Sequence, residues 1–514
     1  MTETSQLPPI TGASLALLTL SLSLATFMQV LDTSIANVSI PTIAGDLAVS
    51  PNQGTWVITS FAVSNAIALP LSGWLAKRFG EVRLFLSATL LFTLASMLCG
   101  LSSSLPMLVI FRIFQGAVAG PMIPLSQSLL LANYPHEKKG LALALWSMTV
   151  VLAPIFGPIL GGYITDNFSW PWIFYINIPV GLMASYITWQ LLKRRETSTL
   201  KLPIDAVGLV LLVIGVGSLQ LLLDKGNELD WFNSDFISIL AVIATICLSF
   251  FIVWEITERH PVVDLSLFRV RNFSIGTISI SLGYMTFFSG VVVYPLWLQT
   301  QMGYTATWAG LSAAPIGVLS VILSPIVGKN MHRIDLRMLA SFSFLVFAAI
   351  TFWASSFNTN ASFWQLTLPR LFQGIGMATF FIPLMSILLS GLPPNRVASA
   401  SGLSNFLRVL GGSFGTSLSI ALWDRRESLH HSQLTENISI SDHMTSHALE
   451  SLHSLGLGRM PSLALLENSV DSQSYMLAVN DIFIASSWIF LGLMLFVWLA
   501  RPPFSAGKAP GGEH

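Results

Sequence analysis

Arg112-Ile-Phe-Gln115-Gly116 recurs as Arg370-Leu-Phe-Gln373-Gly374, from position 112 to position 370, and both copies lie inside long apolar segments. An arginine at the centre of a membrane helix costs about 2.5–3.5 kcal/mol on the insertion scale. Carrying that cost twice, in matching surroundings, points to a membrane machine built from two related halves. Duplicated halves around a midplane site are the usual build of secondary transporters.

The composition agrees. The chain has 514 residues, 53% hydrophobic and only 10% charged, with a mean hydropathy of +0.70. An ordinary soluble domain is about 25% charged, so a soluble fold is excluded and an all-α polytopic membrane protein is implied. Cys99 and Cys247 both fall in apolar segments and read as buried free thiols. The first apolar run, 14–41, is far longer than a signal-peptide core of about 7–15 residues, so no cleavable leader is expected.

A spanning helix needs roughly 20 apolar residues. On that ruler fourteen spans are expected: 14–41, 54–76, 82–100, 106–132, 138–163, 172–193, 204–223, 236–256, 273–299, 307–328, 336–355, 363–391, 397–421 and 480–500. The repeated motif sits in spans 4 and 12. The organisation is thus an N-terminal stretch (1–13), a six-helix half (14–200), two inserted helices (201–256), a linker (257–272), a second six-helix half (273–500) and a tail (501–514). The linker alternates apolar and charged groups and reads as an amphipathic segment on the membrane surface. Residues 422–479 form one long loop, largely polar, with Leu and Met spacing that suggests some helix. The Gly-rich tail from Ser505 reads as disordered.

Lys and Arg placement sets orientation. With the N-terminus in the cytoplasm, 18 of the 25 Lys and Arg residues fall on the cytoplasmic side. Only Lys225, Arg425, Arg426 and Arg459 fall on the other, and Arg112, Arg370 and Arg408 lie within spans. Both termini are therefore expected in the cytoplasm, and the loop 422–479 on the outer face.

Asp32 lies within span 1, and an ionisable residue at that depth is a functional candidate. It is nine residues from Pro41, about 13 Å at roughly 1.5 Å per residue. Arg112 is six residues beyond Pro106, about 9 Å by the same rise. The depths match, so the carboxylate and the guanidinium can pair across spans 1 and 4. Desolvation and a nearby cation pull a carboxyl group's proton affinity in opposite directions. A group held between those pulls can take up and release a proton when a helix shifts; the alternative is a static clamp. Position 290, which matches Asp32 in the second half, is a glycine, so coupling is expected to belong to the first half. The partner of Arg370 is left open, with structural and functional roles equally available to it.

Soft, large side chains suit varied lipophilic ligands. Met28, Phe61, Tyr284, Phe287, Phe288, Tyr294, Phe380 and Phe381 are the candidate lining of a central cavity. Few charges are available to grip a substrate, which favours hydrophobic or weakly charged compounds over sugars, peptides or phosphates. ATP is not the expected energy source, because Gly328-Lys329 is followed by Asn330 and not by Ser or Thr. No cofactor or metal is expected, protons serving as coupling ion. The histidines of 422–479 read as a solvated, pH-sensitive surface.

These residues also carry a resemblance. Leu31-Asp32 with Asn37-Val38 and Pro41; Arg112, Gln115, Gly116 and Gly120; and Ala153-Pro154-Ile-Phe-Gly157-Pro158-Ile-Leu-Gly161-Gly162 together resemble the major facilitator superfamily, specifically its fourteen-span drug:proton antiporters. The likeness runs along essentially the whole chain and includes Trp170-Pro-Trp172-Ile-Phe174-Tyr-Ile-Asn177-Ile-Pro179. Gly73-Trp-Leu75-Ala-Lys77-Arg78-Phe-Gly80-Glu-Val-Arg83 resembles the superfamily's gating loop, with Lys77 where an Asp is usual. The resemblance implies the major facilitator fold and proton transfer through Asp32 and Arg112, with Asn37, Gln115, Gly116, Arg370 and Gln373 in support. It further implies proton-coupled export of lipophilic compounds across a bacterial inner membrane, with the loop 422–479 in the periplasm and a periplasmic adaptor and an outer-membrane channel as partners. The alternatives are a nutrient facilitator or importer and a non-transporting membrane sensor. The span 5 pattern argues against the first and the patterned Asp32 site against the second.

Overall fold

The computed structural model describes residues 10–135, 138–200, 203, 205–436, 438, 443–454 and 457–504. Residues 1–9 and the tail from Ser505 lie outside them. In a bilayer every backbone N–H and C=O must find an internal partner, which leaves the helix as the only option for a chain with these long apolar runs. All described regular structure is helical.

The first half comprises α1 (Gly12–Asp46), the short α2 (Pro51–Gly54), α3 (Trp56–Phe79), α4 (Glu81–Gly100), α5 (Leu105–Ala119), α6 (Met122–Asn133), α7 (Lys139–Asn167), α8 (Trp172–Tyr175) and α9 (Asn177–Leu192). The insert is α10 (Ala206–Lys225) and α11 (Asp235–Thr257). The second half comprises α12 (Arg271–Gln301), α13 (Ala306–Ala313), α14 (Ile316–Asn330), α15 (Leu336–Ala354), α16 (Phe363–Leu389), α17 (Val397–Glu436), α18 (His443–Ser454) and α19 (Arg459–Phe496). Each of the fourteen expected spans coincides with helix. Twelve are long and apolar enough to cross a membrane, counting α5 with α6 and α13 with α14 as single spans. A thirteenth, within α7, bends by 43° between Pro154 and Ile159, where Pro154 and Pro158 interrupt the backbone ladder. The expected sixth span falls short as a single helix. Its α9 is only 16 residues long and is preceded by the separate turn α8.

Small residues set the helix spacing, as membrane packing requires. A Cβ on Gly116 would run into Ser64 and the Phe61 carbonyl of α3. A Cβ on Gly374 would run into the Ile316 carbonyl of α14, so both copies of the motif use their glycine alike. Gly157 and Gly161 bring α7 onto Ser34 and Ile35 of α1, whereas Gly162 faces open space. The halves meet along α3, α6 and α7 on one side and α14, α16 and α17 on the other, and α10 packs against both α3 and α17.

Two expectations are corrected. Residues 422–479 are not a loop: α17 continues to Glu436, α18 covers His443–Ser454, and α19 begins at Arg459. The hydropathy ruler stops where side chains turn polar, but the helices do not. Arg426 and His430 on α17 both reach Asp481 on α19, at 2.5 and 2.7 Å, and His431 reaches Asp471 at 3.2 Å. The linker 257–272 is not a free surface helix either. It holds a 3-10 turn at Leu265–Arg269. Val262, Val263 and Leu267 are buried in the second half's core, and Asp264 accepts from Arg396 at 2.7 Å. Its apolar face is satisfied by protein.

Candidate functional site: a buried carboxylate in the first half

Asp32 and Arg112 are fully buried and paired, with Arg112 Nη1 donating to Asp32 Oδ2 at 2.5 Å. The guanidinium is held from two further directions. Its Nε donates to the Val57 carbonyl at 3.0 Å, and the same Nη1 donates to Gln115 Oε1 at 2.8 Å. The Phe61 and Phe174 rings lie 4.3 and 5.6 Å from its centre, within cation–π range. The other carboxylate oxygen, Oδ1, accepts from Gln115 Nε2 at 3.2 Å and Asn177 Nδ2 at 2.9 Å. Asn177 is steadied by Ser96 Oγ, which donates to the Phe174 carbonyl. Four helices thus converge on one carboxylate: α1, α5, α9 and, through Ser96, α4. Among the described residues, Arg112 Nη2 has no hydrogen-bond partner. Removing one member of such a buried pair typically costs about 3–5 kcal/mol, because the other charge is left uncompensated.

Asn177 is the residue that reasoning from the sequence did not assign to the site, although it stands in the quoted Trp170–Pro179 pattern. Asn37, expected in support, is exposed. It is five residues from Asp32, about 140° around a helix of 3.6 residues per turn, so it leaves the face that meets Arg112. Cys99 adds a thiol whose Sγ donates to Gln115 Oε1 at 3.5 Å, and both cysteines are free.

The second half repeats the frame without the acid. Arg370 Nη1 donates to Gln373 Oε1 at 2.8 Å, matching Arg112 and Gln115. Where Asp32 would be expected stands the Tyr294 ring, 4.0 Å from the Arg370 guanidinium, with Phe483 at 5.5 Å. Among the described residues, Arg370 Nε and Nη2 have no hydrogen-bond partner.

The gating-loop residues lie at the turn between α3 and α4. Gly73 packs against the backbone of Ser399, in the opposite half. Gly80 has φ +88°, a region that favours glycine. Lys77 is followed by a capped helix start: Glu196, from the stretch after α9, accepts from the Val82 and Arg83 amides of α4 at 3.0 and 2.8 Å. It lies 3.9 Å from the Arg83 side chain. A carboxylate at a helix N-terminus is favoured by the helix dipole. Lys77 contributes its carbonyl to the Leu200 amide at 2.8 Å, and Arg78 lies over the Trp74 ring. In α7, the Pro154 carbonyl accepts from Ser34 Oγ at 3.2 Å; the Pro158 side chain lies outside the described set.

The candidate cavity residues divide. Met28 and Phe61 are buried in the first half's core, Phe61 beside Arg112. Phe380 packs on Phe344 and Phe347. Phe287 lies on Phe347 and Phe288. Tyr284 and Phe381 face each other with ring centroids 6.2 Å apart and flank Arg408.

Two helical halves, an inserted pair and a buried charge cluster define a polytopic secondary transporter. The chain belongs to the Major Facilitator Superfamily, whose family model matches residues 22–416. It is 55% identical over 498 residues to the multidrug export protein EmrB of Haemophilus influenzae, covering 97% of this chain and 98% of that one. It is 54% identical over 510 residues to EmrB of Escherichia coli, covering 99% and 100%. It is 51% identical over 507 residues to the fatty acid resistance protein FarB of Neisseria gonorrhoeae, covering 99% of each. Among solved structures, the proton:xylose symporter XylE superposes with a TM-score of 0.57 at 15% identity, covering 93% of this chain and 96% of that one. The human organic anion transporter MFSD10 gives 0.58 at 14%, covering 95% and 100%. These two share the fold.

Proposed function

We propose that this protein exports lipophilic drugs and toxic compounds across a bacterial inner membrane by alternating access, driven by the proton gradient. The observation that carries the reading is the Asp32 cluster. As a carboxylate Asp32 accepts from Arg112, Gln115 and Asn177 together. A proton on either oxygen turns that atom from acceptor to donor. It then opposes the N–H groups aimed at it, and the grip of α1 on α5 and α9 weakens. Loss of the proton restores the grip. Proton occupancy thereby biases how α1 sits against the rest of its half, and α1 also packs on the bent α7. The gradient supplies about 2.3 kcal/mol per charge per 100 mV, plus the pH term. The high identity to multidrug exporters over nearly the whole chain supports drug export.

The excess of Lys and Arg in the loops on the side of the N-terminus supports termini in the cytoplasm, which leaves the α17–α19 extension in the periplasm. That extension is offered as the contact point for a periplasmic adaptor, through which substrate passes to an outer-membrane channel. The test is reconstitution in proteoliposomes with an imposed pH gradient and a panel of lipophilic dyes. Asp32→Asn is expected to lose uphill export by tenfold or more while expression and dye binding stay near wild type. Full uphill export by that variant would sink the coupling role.

A further inference from the structure

Arg370 is a buried cation without a counter-charge. It lies seven residues beyond Phe363, the start of α16, as Arg112 lies seven residues beyond Leu105, the start of α5. The two guanidinium groups therefore sit at matching depth in their halves. Arg370 is 6% exposed. Among the described residues, no carboxylate lies within ion-pair distance of it. One nitrogen is engaged, Nη1, which donates to Gln373 Oε1 at 2.8 Å. The Tyr294 ring lies 4.0 Å from the guanidinium centre and the Phe483 ring 5.5 Å from it. Nε and Nη2, the pair without a partner among the described residues, form one edge of the planar fork. That edge takes an anion through two parallel N–H bonds.

The surroundings add donors and no acid. Gly290, Tyr294 and Trp297 follow one another on α12 at spacings of four and three residues, which places them on one face. Thr367 precedes Arg370 by three residues and shares its face of α16. These faces meet: the Tyr294 hydroxyl bonds the Leu366 carbonyl at 3.2 Å. The Phe357 ring lies 6.4 Å from those of Tyr294 and Trp297 and 6.3 Å from that of Phe483. Trp297 Nε1 and Thr367 Oγ1 are buried and, among the described residues, have no hydrogen-bond partner. An indole N–H can only donate. An unpaired buried charge is far more costly than a paired one, so this cluster calls for an occupant of the opposite sign. There is room on the side where the first half has its acid. Gly290 stands at the position of Asp32, and a Cβ built on it meets only Phe483, at 3.6 Å, an ordinary contact.

The geometry points to a resident inorganic anion at Arg370, held through Nε and Nη2, which serves the second half as the Asp32 carboxylate serves the first. One cation in apolar surroundings balances one negative charge, which favours a halide, chloride foremost, over sulfate or phosphate. The Trp297 indole and the Thr367 hydroxyl, on the faces that meet here, are the groups available to complete its shell. A halide takes up no proton at biological pH. Unlike Asp32, this counter-charge is therefore blind to the proton gradient. The two copies of the motif then divide the work: one arginine faces a titratable acid, the other a fixed ion that holds α12 to α16.

The test melts the full-length protein in nanodiscs of zwitterionic lipid at constant ionic strength, with sodium chloride replacing sodium gluconate. An ion that binds only the folded state raises the melting temperature, and wild type should gain about 3 °C or more, with a midpoint in the millimolar range. Arg370→Gln removes the cation, and Gly290→Asp supplies a fixed carboxylate in place of the ion. Both should flatten the chloride response to within about 1 °C, the first by loss of the site and the second by filling it. Trp297→Phe should raise the chloride midpoint several-fold. Arg408→Gln, which alters a different intramembrane arginine, should respond as wild type does. No chloride response in wild type would leave the site to water and overturn the assignment. A wild-type response in Arg370→Gln, or one lost in Arg408→Gln and kept in Arg370→Gln, also overturns it. If Arg370→Gln does not fold, Gly290→Asp decides, and a full chloride response there overturns the site. If neither folds, the Trp297→Phe midpoint decides, and an unshifted one overturns it.

Discussion

Asn177 Nδ2 lies 2.9 Å from Asp32 Oδ1, bringing α9 into contact with the acid of α1 across 145 positions of sequence. The same nitrogen bonds Ser96 Oγ on α4. The amide therefore does two things: it supplies a donor to the carboxylate, and it ties that carboxylate to a helix that does not otherwise touch it. Asn177→Leu keeps the volume and removes the donor. Uphill dye transport should fall several-fold, less than for Asp32→Asn, because Arg112 and Gln115 remain. Transport at the wild-type rate, at equal expression, would reduce Asn177 to a packing residue.

The two copies of the motif should not be equivalent. Arg112→Ala strands a fully buried carboxylate, whereas Arg370→Ala removes a hydrogen bond to Gln373 and a stacking contact on Tyr294. The first loss is of the order of 3–5 kcal/mol, the second about 1–3 kcal/mol. Arg112→Ala should abolish gradient-driven transport, and Arg370→Ala should leave a measurable fraction. Transport assays on both variants, normalised to protein inserted, decide it; equal loss would show that the acid is not what separates the halves.

At the start of α15, outside the membrane span, Asp335 accepts from the Arg337 amide at 2.9 Å and the Arg337 guanidinium at 2.7 Å. The Arg337 side chain holds its carboxyl below the ordinary carboxylate range. A depressed folded-state value means stability that is present above the ordinary value, about 3.9. It is lost as pH falls through the lower, folded one. Asp335→Ala should lower stability at pH 7 by about 0.5–2 kcal/mol, the range for a lost helix cap. The gap between variant and wild type should narrow below about pH 4. Thermal melts in detergent across that range provide the measurement, and a gap independent of pH would show that the charge plays no part.

How much of this could be read from the chain follows from which physical signal each feature leaves. Hydropathy marks twelve of the expected membrane helices, and a thirteenth as a bent pair, because burial in lipid is a property of each segment alone. The Asp32–Arg112 pair was legible because two charges at one depth in an apolar medium have few other partners. Asn177 left no such trace: an amide carries no charge, and nothing in its own segment says which helix it faces. Asn37, which the resemblance puts in support, is exposed and about 140° around α1 from Asp32, because a motif names a residue without the helix face it takes. The polar ends of α17 and α19 were hidden for a different reason. Their outer turns are stabilised by ion pairs between helices, and hydropathy does not register those.

That extension bears on how the exporter works in a cell. Arg426 and His430 clasp Asp481, and beyond this clasp the two helices run on to the α18 tip. Exposed Leu465 and Met460 lie on the outer part of α19. A helical arm braced by ion pairs is a costly way to join two spans, since most connections need only about 4–6 residues. If the arm docks an adaptor, replacing residues 434–468 with a short Gly-Ser turn keeps the clasp but removes the docking surface. Drug resistance of whole cells should then fall tenfold or more, while dye transport in proteoliposomes, where no adaptor is present, stays within twofold of wild type. A periplasm-dependent reporter fused near residue 440 should be active and one near residue 200 silent, because the arm must lie outside to meet a periplasmic partner. Equal loss in cells and proteoliposomes would make the arm part of the transport cycle itself. Undiminished resistance in cells would leave the clasp holding nothing that export requires.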